Sequence, residues 1–342
     1  MSILHFESDY MEGCTPEILE RLEKINLEKN PGYGTDEYCK SAVEKIRKEC
    51  KCPEAEVYFL EGGTQTNATV ISSILKPWQG VVSLETGHIA VHEAGAVELA
   101  GHKVLTIKGM DGKMAADDLN EFLSTFEKDE NNAHMVEPGL VYISYPTEYG
   151  TLYTKEELKC IHNVCTKHKI PLYLDGARMA YGLAAQKDVK LSDIAKYCDV
   201  FYIGGTKCGA LFGEAIVCTK QGLLPHFFTQ IKQHGALMAK GWLLGIQFDT
   251  LFSDNLYYKL GQNAIEMADY LKAEIKKKGI KFYNDSITNQ QFLIMNDSVL
   301  KSLSKKAVYS YWERFDASHS VIRFATSWAT TREDVDKLIN LI

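Results

Sequence analysis

From residue 57 to residue 204 the chain repeats one grammar: a short apolar run, a turn, then a helical segment. VYFL (57–60) precedes a glycine turn and TQTNATVISSIL, VVSL (81–84) precedes HIAVHEAGAVELAG, and KVLTIK (103–108) precedes DDLNEFLSTFEKD. LVYISY (140–145) leads to KEELKCIHNVCTKH, and PLYLD (171–175) and VFYIG (200–204) complete the series. Such runs suit strands buried on both sides, and intervening helices supply the two covers. The pattern predicts an α/β fold: a mainly parallel sheet with helices on both faces. Upstream, Thr15-Pro16-Glu17 opens a helix through PEILERLEKINLEK, Pro31 to Thr35 breaks it, and Asp36 leads into EYCKSAVEKIRKEC. After about residue 240 the grammar changes to a long helical stretch, KLGQNAIEMADYLKAEIKKKG, then KFYN, QQFLIMN and VIRFATSW, a smaller α+β set. The expected division is an N-terminal arm over 1–15, a large α/β domain over 16–245 and a small domain over 246–342.

Charge and cysteine content narrow the partners. A net charge of -7 gives no basic footprint for nucleic acid or anionic membrane. No apolar run approaches the roughly 20 residues that span a bilayer, and MSILHFESDYMEG lacks the basic and apolar regions of a signal peptide. The 9 cysteines form no CxxC pair, and their odd count reads as reduced thiols in a reducing, cytoplasmic compartment. No His, Asp and Glu set has metal spacing, so no metal is expected.

Ligands of open α/β sheets bind at the carboxyl ends of the strands, so the residues after each apolar run carry the chemistry. Glu61-Gly62-Gly63-Thr64 opens a helix, which makes either a simple capped turn or a backbone cradle for a phosphate. It is neither a Walker loop nor a dinucleotide fingerprint. Asp175, at the end of PLYLD, could cap the next helix, ligate a metal or partner a protonated ring nitrogen, and Arg178 offers a fork for a carboxylate or phosphate. Lys207, set among small residues in GGTKCGALFGEA, either snorkels to the surface or has its pKa lowered by burial, as an amine forming a Schiff base requires. Together, a phosphate cradle, a carboxylate for a ring nitrogen and an amine for an aldehyde match the demands of pyridoxal 5'-phosphate. His88, after another strand, is placed to lie over the ring.

At these residues the sequence resembles the pyridoxal-phosphate enzymes of the aspartate aminotransferase-like superfamily, fold type I. More closely, it resembles the low-specificity L-threonine aldolases of the β-eliminating lyase group. The marks are Ser8-Asp9, Gly63-Thr64-Gln65-Thr66-Asn67, Glu85-Thr86-Gly87-His88, Asp175-Gly176-Ala177-Arg178, GGTKCGALFGEA and IRFATSW (322–328). The resemblance implies that Lys207 carries the cofactor, Asp175 keeps its ring nitrogen protonated, His88 stacks on the ring, and Gly63 and Thr64 bind the phosphate. It implies that Ser8, Arg178 and Arg323 grip the substrate carboxylate, with the arm over 1–15 joining the active site to the small domain. It further implies a homo-oligomer, dimer or tetramer, with sites shared between subunits, Lys232 contacting a neighbour's phosphate and Tyr33 lining such a site. The implied reaction is retro-aldol cleavage of a β-hydroxy-α-amino acid to glycine and an aldehyde, with His88, directly or through water, taking the hydroxyl proton. The sequence departs from the family at His92, where no fixed residue is expected, and at Ser327, where many relatives carry histidine. It departs also at PTEYGT (146–151), where other branches carry a second histidine near the substrate. Rival readings are β-elimination or transamination with the same cofactor, a nucleotide-binding dehydrogenase, and a cofactor-binding protein without catalysis.

Overall fold

A computed structural model describes residues 3–342. After a short strand of the arm, β1 (Leu4–His5), come β2 (Glu56–Leu60), β3 (Gln79–Leu84), β4 (Val104–Ile107) and β5 (Glu137–Ser144). They are followed by β6 (Leu172–Asp175), β7 (Val200–Gly204) and β8 (Glu214–Cys218). Seven of these form one sheet in the order β2-β8-β7-β6-β5-β3-β4. All pairings are parallel except the two made by β8, which runs antiparallel between β2 and β7. The carboxyl ends of β2, β3, β5, β6 and β7 therefore meet at one edge, joined there by the start of β8.

The apolar runs behave as their composition requires. Every residue of β6, β7 and β8 is buried, and separate core clusters fill the two faces of the sheet. Helix starts follow their capping chemistry: Asp36 accepts the Cys39 N–H at 2.9 Å, and Thr154 and Glu157 form a reciprocal capping box.

Two differences from the sequence pattern bear on the site. HIAVHEAGAVELAG does not form one helix; it makes two single turns, His88–Val91 and Ala96–Leu99. Ala94 and Gly95 between them adopt φ of 51° and 73°, a left-handed pair that no right-handed helix can pass through. The run EAIVC, lying behind the lysine motif, is the antiparallel strand β8.

The remaining strands are β9 (Lys281–Phe282), β10 (Gln290–Asn296), β11 (Ala307–Val308), β12 (Ser310–Arg314) and β13 (His319–Ala325). Four of them make a sheet in the order β12-β13-β10-β9, antiparallel throughout. The arm is stitched to this part of the chain: β1 pairs with β11, and the Phe6 carbonyl accepts the Ala325 N–H at 2.8 Å. The position expected for the domain boundary, 245–246, falls inside the helix Trp242–Leu251, which packs on Glu37–Cys50 with Gly245 against Cys39. The longer helix Leu256–Lys277 serves both cores, burying Tyr257, Ala264 and Ile265 in one and Leu271 and Ile275 in the other.

Candidate active site

Asp175 ends β6 fully enclosed by donors. Its Oδ1 accepts from the Tyr202 hydroxyl at 2.5 Å and the Ala177 N–H at 3.0 Å. Its Oδ2 accepts from the Tyr142 hydroxyl at 2.6 Å and the Asn67 amide at 2.9 Å. Burial alone would raise the pKa of this carboxyl, but the His88 charge and these side-chain donors outweigh it and lower the pKa. Asp175 therefore stays ionised in a buried place, poised to face a positive group. The two tyrosines, which help hold this charge, sat in no motif, and Asn67 lay in the Gly63 to Asn67 motif without a role assigned to it.

Lys207 follows β7 and lines a cavity of about 240 Å³ together with Gly63, Thr64, His88, Asp175, Thr206 and Glu214. Burial lowers its pKa, reinforced by the Arg178 charge and opposed by Asp9, Asp175 and Glu214. The Tyr181 hydroxyl donates to the Lys207 carbonyl, and the Tyr10 ring lies 5.8 Å from its ammonium. Gly63 opens the helix Gly63–Ile74, whose N-cap residue, Gly62, supplies no side-chain cap, so first-turn amides are open to an anion at the cavity wall. Glu214, inside the lysine motif but given no role in it, accepts the Gly205 N–H at 3.0 Å, and burial pushes its pKa up to about 8. At neutral pH it is thus largely uncharged and does not repel an anion in that cradle.

His88 stands at the helix start after β3. Its Nδ1 lies 2.7 Å from Glu93 Oε1, and that same oxygen accepts from Asn67, which also binds Asp175. A chain of hydrogen bonds therefore links the histidine to the carboxylate below the cavity. The His88 N–H donates to Glu148 Oε1 at 2.9 Å.

A second cavity of about 530 Å³ continues outward from Lys207 and His88 to Arg323, His92, Tyr149, Ser310, Tyr311 and Trp312. Strand β12 brings the last three, and its irregular register at Trp312 was not legible in the sequence. The two arginines differ. Arg178 spends Nε and Nη2 on buried Asp9, at 2.5 and 3.0 Å, and that charge lowers the Asp9 pKa to about 2 against its burial. Among the described residues Arg323 has no acidic partner: Nη1 donates to Gln290 at 2.7 Å, Nη2 to the Glu7 carbonyl and Ser310, and buried Nε finds no acceptor there. Burial, with the Arg178 charge beside it, lowers the Arg323 pKa from the ordinary arginine value to about 10. A guanidinium held this way is short of an anion. The Ser8 hydroxyl is likewise buried without a partner.

The structure thus brings Gly63, Thr64, His88, Asp175, Arg178, Lys207 and Arg323 to two adjoining cavities. Tyr33 and Lys232 line neither. They sit together elsewhere, the Lys232 ammonium 4.8 Å from the Tyr33 ring. The residues fit pyridoxal phosphate: a neutralisable amine, an ionised carboxylate and an uncapped helix start share one cavity, and an unpaired guanidinium waits in the next.

Comparison with known proteins agrees. Residues 5–298 match the model of the beta-eliminating lyase family. A low-specificity L-threonine aldolase from a Pseudomonas strain is 30% identical over 97% of this chain and 95% of its own. The structure of a Leishmania major threonine aldolase superposes with a TM-score of 0.95 at 41% identity, covering 99% of this chain and 98% of that one. An aspartate aminotransferase from Thermus thermophilus superposes with a TM-score of 0.74 at 14% identity over 99% of this chain and 90% of its own, a likeness of fold alone.

Proposed function

The chain belongs to the β-eliminating lyase family, and on that footing we propose that it is a pyridoxal-phosphate aldolase cleaving a β-hydroxy-α-amino acid to glycine and an aldehyde. The observation that carries this reading is the pair of adjoining cavities, with Lys207 and Asp175 in the inner one and an unpaired Arg323 in the outer. When bound, the cofactor supplies an electron sink for the bonding pair of the Cα–Cβ bond. Lys207 would hold it covalently, Gly63 and Thr64 would bind its phosphate, and Asp175 would face its ring nitrogen. His88, fixed by Glu93, would pack over the ring. Arg323, with Ser8 and the remaining Nη1 of Arg178, would take the substrate carboxylate and so turn the Cα–Cβ bond perpendicular to the ring. Which bond stands perpendicular decides between aldol cleavage, elimination and transamination, and two charged anchors on one carboxylate hold that choice.

We further assign Tyr33 and Lys232 to a neighbouring subunit's site, in an assembly of two or four copies. The nine cysteines are all free and most are buried, which suits a reducing cytoplasm. No helix among the described residues is long and apolar enough to cross a membrane.

Product analysis tests the reaction. Purified enzyme given L-threonine or L-allo-threonine should release glycine and acetaldehyde in equal amounts. 2-Oxobutanoate and ammonia in their place would make it an eliminating lyase.

A further inference from the structure

A substrate joined at Lys207 and extending its β-substituent outward must cross the junction of the two cavities. Tyr10, His88, Glu148, Arg178 and Lys207 line both. Arg178 is committed to Asp9, Lys207 to the cofactor, and Tyr10 is 57% exposed. His88 gives Nδ1 to Glu93 and its backbone N–H to Glu148. Glu148 and the Nε2 of His88 remain, and the stacking role given to His88 leaves Glu148 as the acceptor.

Its carboxyl is held by one oxygen. Oε1 accepts from Ser144 at 2.6 Å and from the His88 N–H at 2.9 Å, and no other described residue donates a hydrogen bond to Oε2. The turn that carries it is closed by Thr147 N–H to the Thr151 carbonyl at 3.0 Å and Gly150 N–H to the Thr147 carbonyl at 2.9 Å. This is how a proton acceptor would be built: fixed through one oxygen, free at the other.

We propose that Glu148 Oε2 takes the proton of the substrate's β-hydroxyl as the Cα–Cβ bond breaks. The O–H bond is lost to the carboxylate, the C–O bond becomes the aldehyde carbonyl, and the bonding pair stays with the glycine fragment until its α-carbon is protonated. The acid formed on Glu148 returns its proton to solvent when the aldehyde leaves. The assignment rests on the aldolase reading and moves to Glu148 the proton that the family resemblance gives to His88. The groups facing it are consistent. Burial raises its pKa, the Ser144 donor and the His88 charge lower it, Asp175 raises it, and the balance lies above the ordinary carboxylate range. Glu85, Arg178, Lys207 and Arg323 share the cavity walls, and Tyr142, Tyr149 and Tyr153 pack behind. A carboxylate of raised pKa is a stronger base than a free one, provided the pH is above that pKa.

Glu148→Gln keeps the size of the side chain and an oxygen for both donors. Its kcat for β-hydroxy amino acid cleavage should fall by roughly 10²–10⁴-fold, the range for a lost general base. Glycine binding, followed by the visible spectrum, and exchange of the glycine α-proton into deuterium oxide should stay within a few-fold of wild type. The acid limb of kcat should disappear in this variant, and Glu148→Asp should recover part of the rate. In cofactor-free protein, the infrared difference between wild type and Glu148→Gln should contain a protonated-carboxyl band that persists above the ordinary range. Cleavage within tenfold of wild type, or glycine binding and exchange lost in step with kcat, would overturn the proposal; the second result would reduce Glu148 to a support for His88. So would a His88→Phe variant that alone loses the acid limb. A wild-type enzyme that releases no glycine, yet shows the infrared band, would sink the aldolase reading instead.

Discussion

Arg178 and Arg323 lie side by side, yet their removal should have opposite signatures. Arg178→Met leaves Asp9 ionised, 0% exposed and bound only by Asn289 at 2.9 Å. Stranding one member of a buried ion pair costs roughly 3–5 kcal/mol. Arg323 is charged without an acidic partner. Its pKa, lowered from the ordinary arginine value to about 10, corresponds to a penalty on the folded, charged state of about 3 kcal/mol. Arg323→Met removes that penalty along with three hydrogen bonds worth about 1 kcal/mol each, so the two changes nearly cancel. Urea unfolding of the cofactor-free proteins should therefore show Arg178→Met strongly destabilised and Arg323→Met within about 1 kcal/mol of wild type. Binding reverses the order of interest. A carboxylate bonded to a charged donor is worth about 1.5–3 kcal/mol, so Arg323→Met should bind glycine roughly 10- to 150-fold more weakly. An Arg323→Met protein that loses several kcal/mol of stability while binding glycine normally would refute the reasoning, because Arg323 would then be a structural residue.

Two further outcomes follow from the inner cavity. The raised pKa of Glu214 means that cofactor-free protein loses stability as the pH climbs from 4.5 through about 8, where the folded state must give up a proton it holds tightly. Glu214→Gln should flatten that slope in thermal unfolding across the window, and an unchanged slope would assign it elsewhere. A methyl group at Gly176 would strike the Tyr202 carbonyl and come within 2.5 Å of Met179, and backbone cannot yield as a flexible side chain can. Gly176→Ala should cost roughly 1–3 kcal/mol and displace Asp175, so the variant should release cofactor on dialysis; retention equal to wild type would contradict the placement.

What could be read from the sequence was what sits in local patterns. Buried parallel strands appear as apolar runs, and the rule that ligands gather at their carboxyl ends led to Gly63, His88, Asp175 and Lys207, which share one cavity. β8 was hidden because its apolar residues directly follow the lysine motif and because antiparallel insertion leaves no local trace. The break at Ala94-Gly95 was hidden because apolar spacing continues across it, and such spacing carries no trace of a left-handed pair. The donors around Asp175 come from two strands, a helix and the turn after β6, and the Arg178 pairing with Asp9 joins residues 169 apart. Long-range satisfaction of buried charge has no sequence period, so these residues became visible only with the fold.

The central claim is that Lys207 anchors a cofactor at the carboxyl edge of the sheet, and one spectrum tests it most directly. Wild-type protein loaded with pyridoxal phosphate and passed through gel filtration should keep a visible absorption band, and Lys207→Ala, shown to be folded by circular dichroism, should have none. The account would be contradicted by a Lys207→Ala protein that retained the wild-type band.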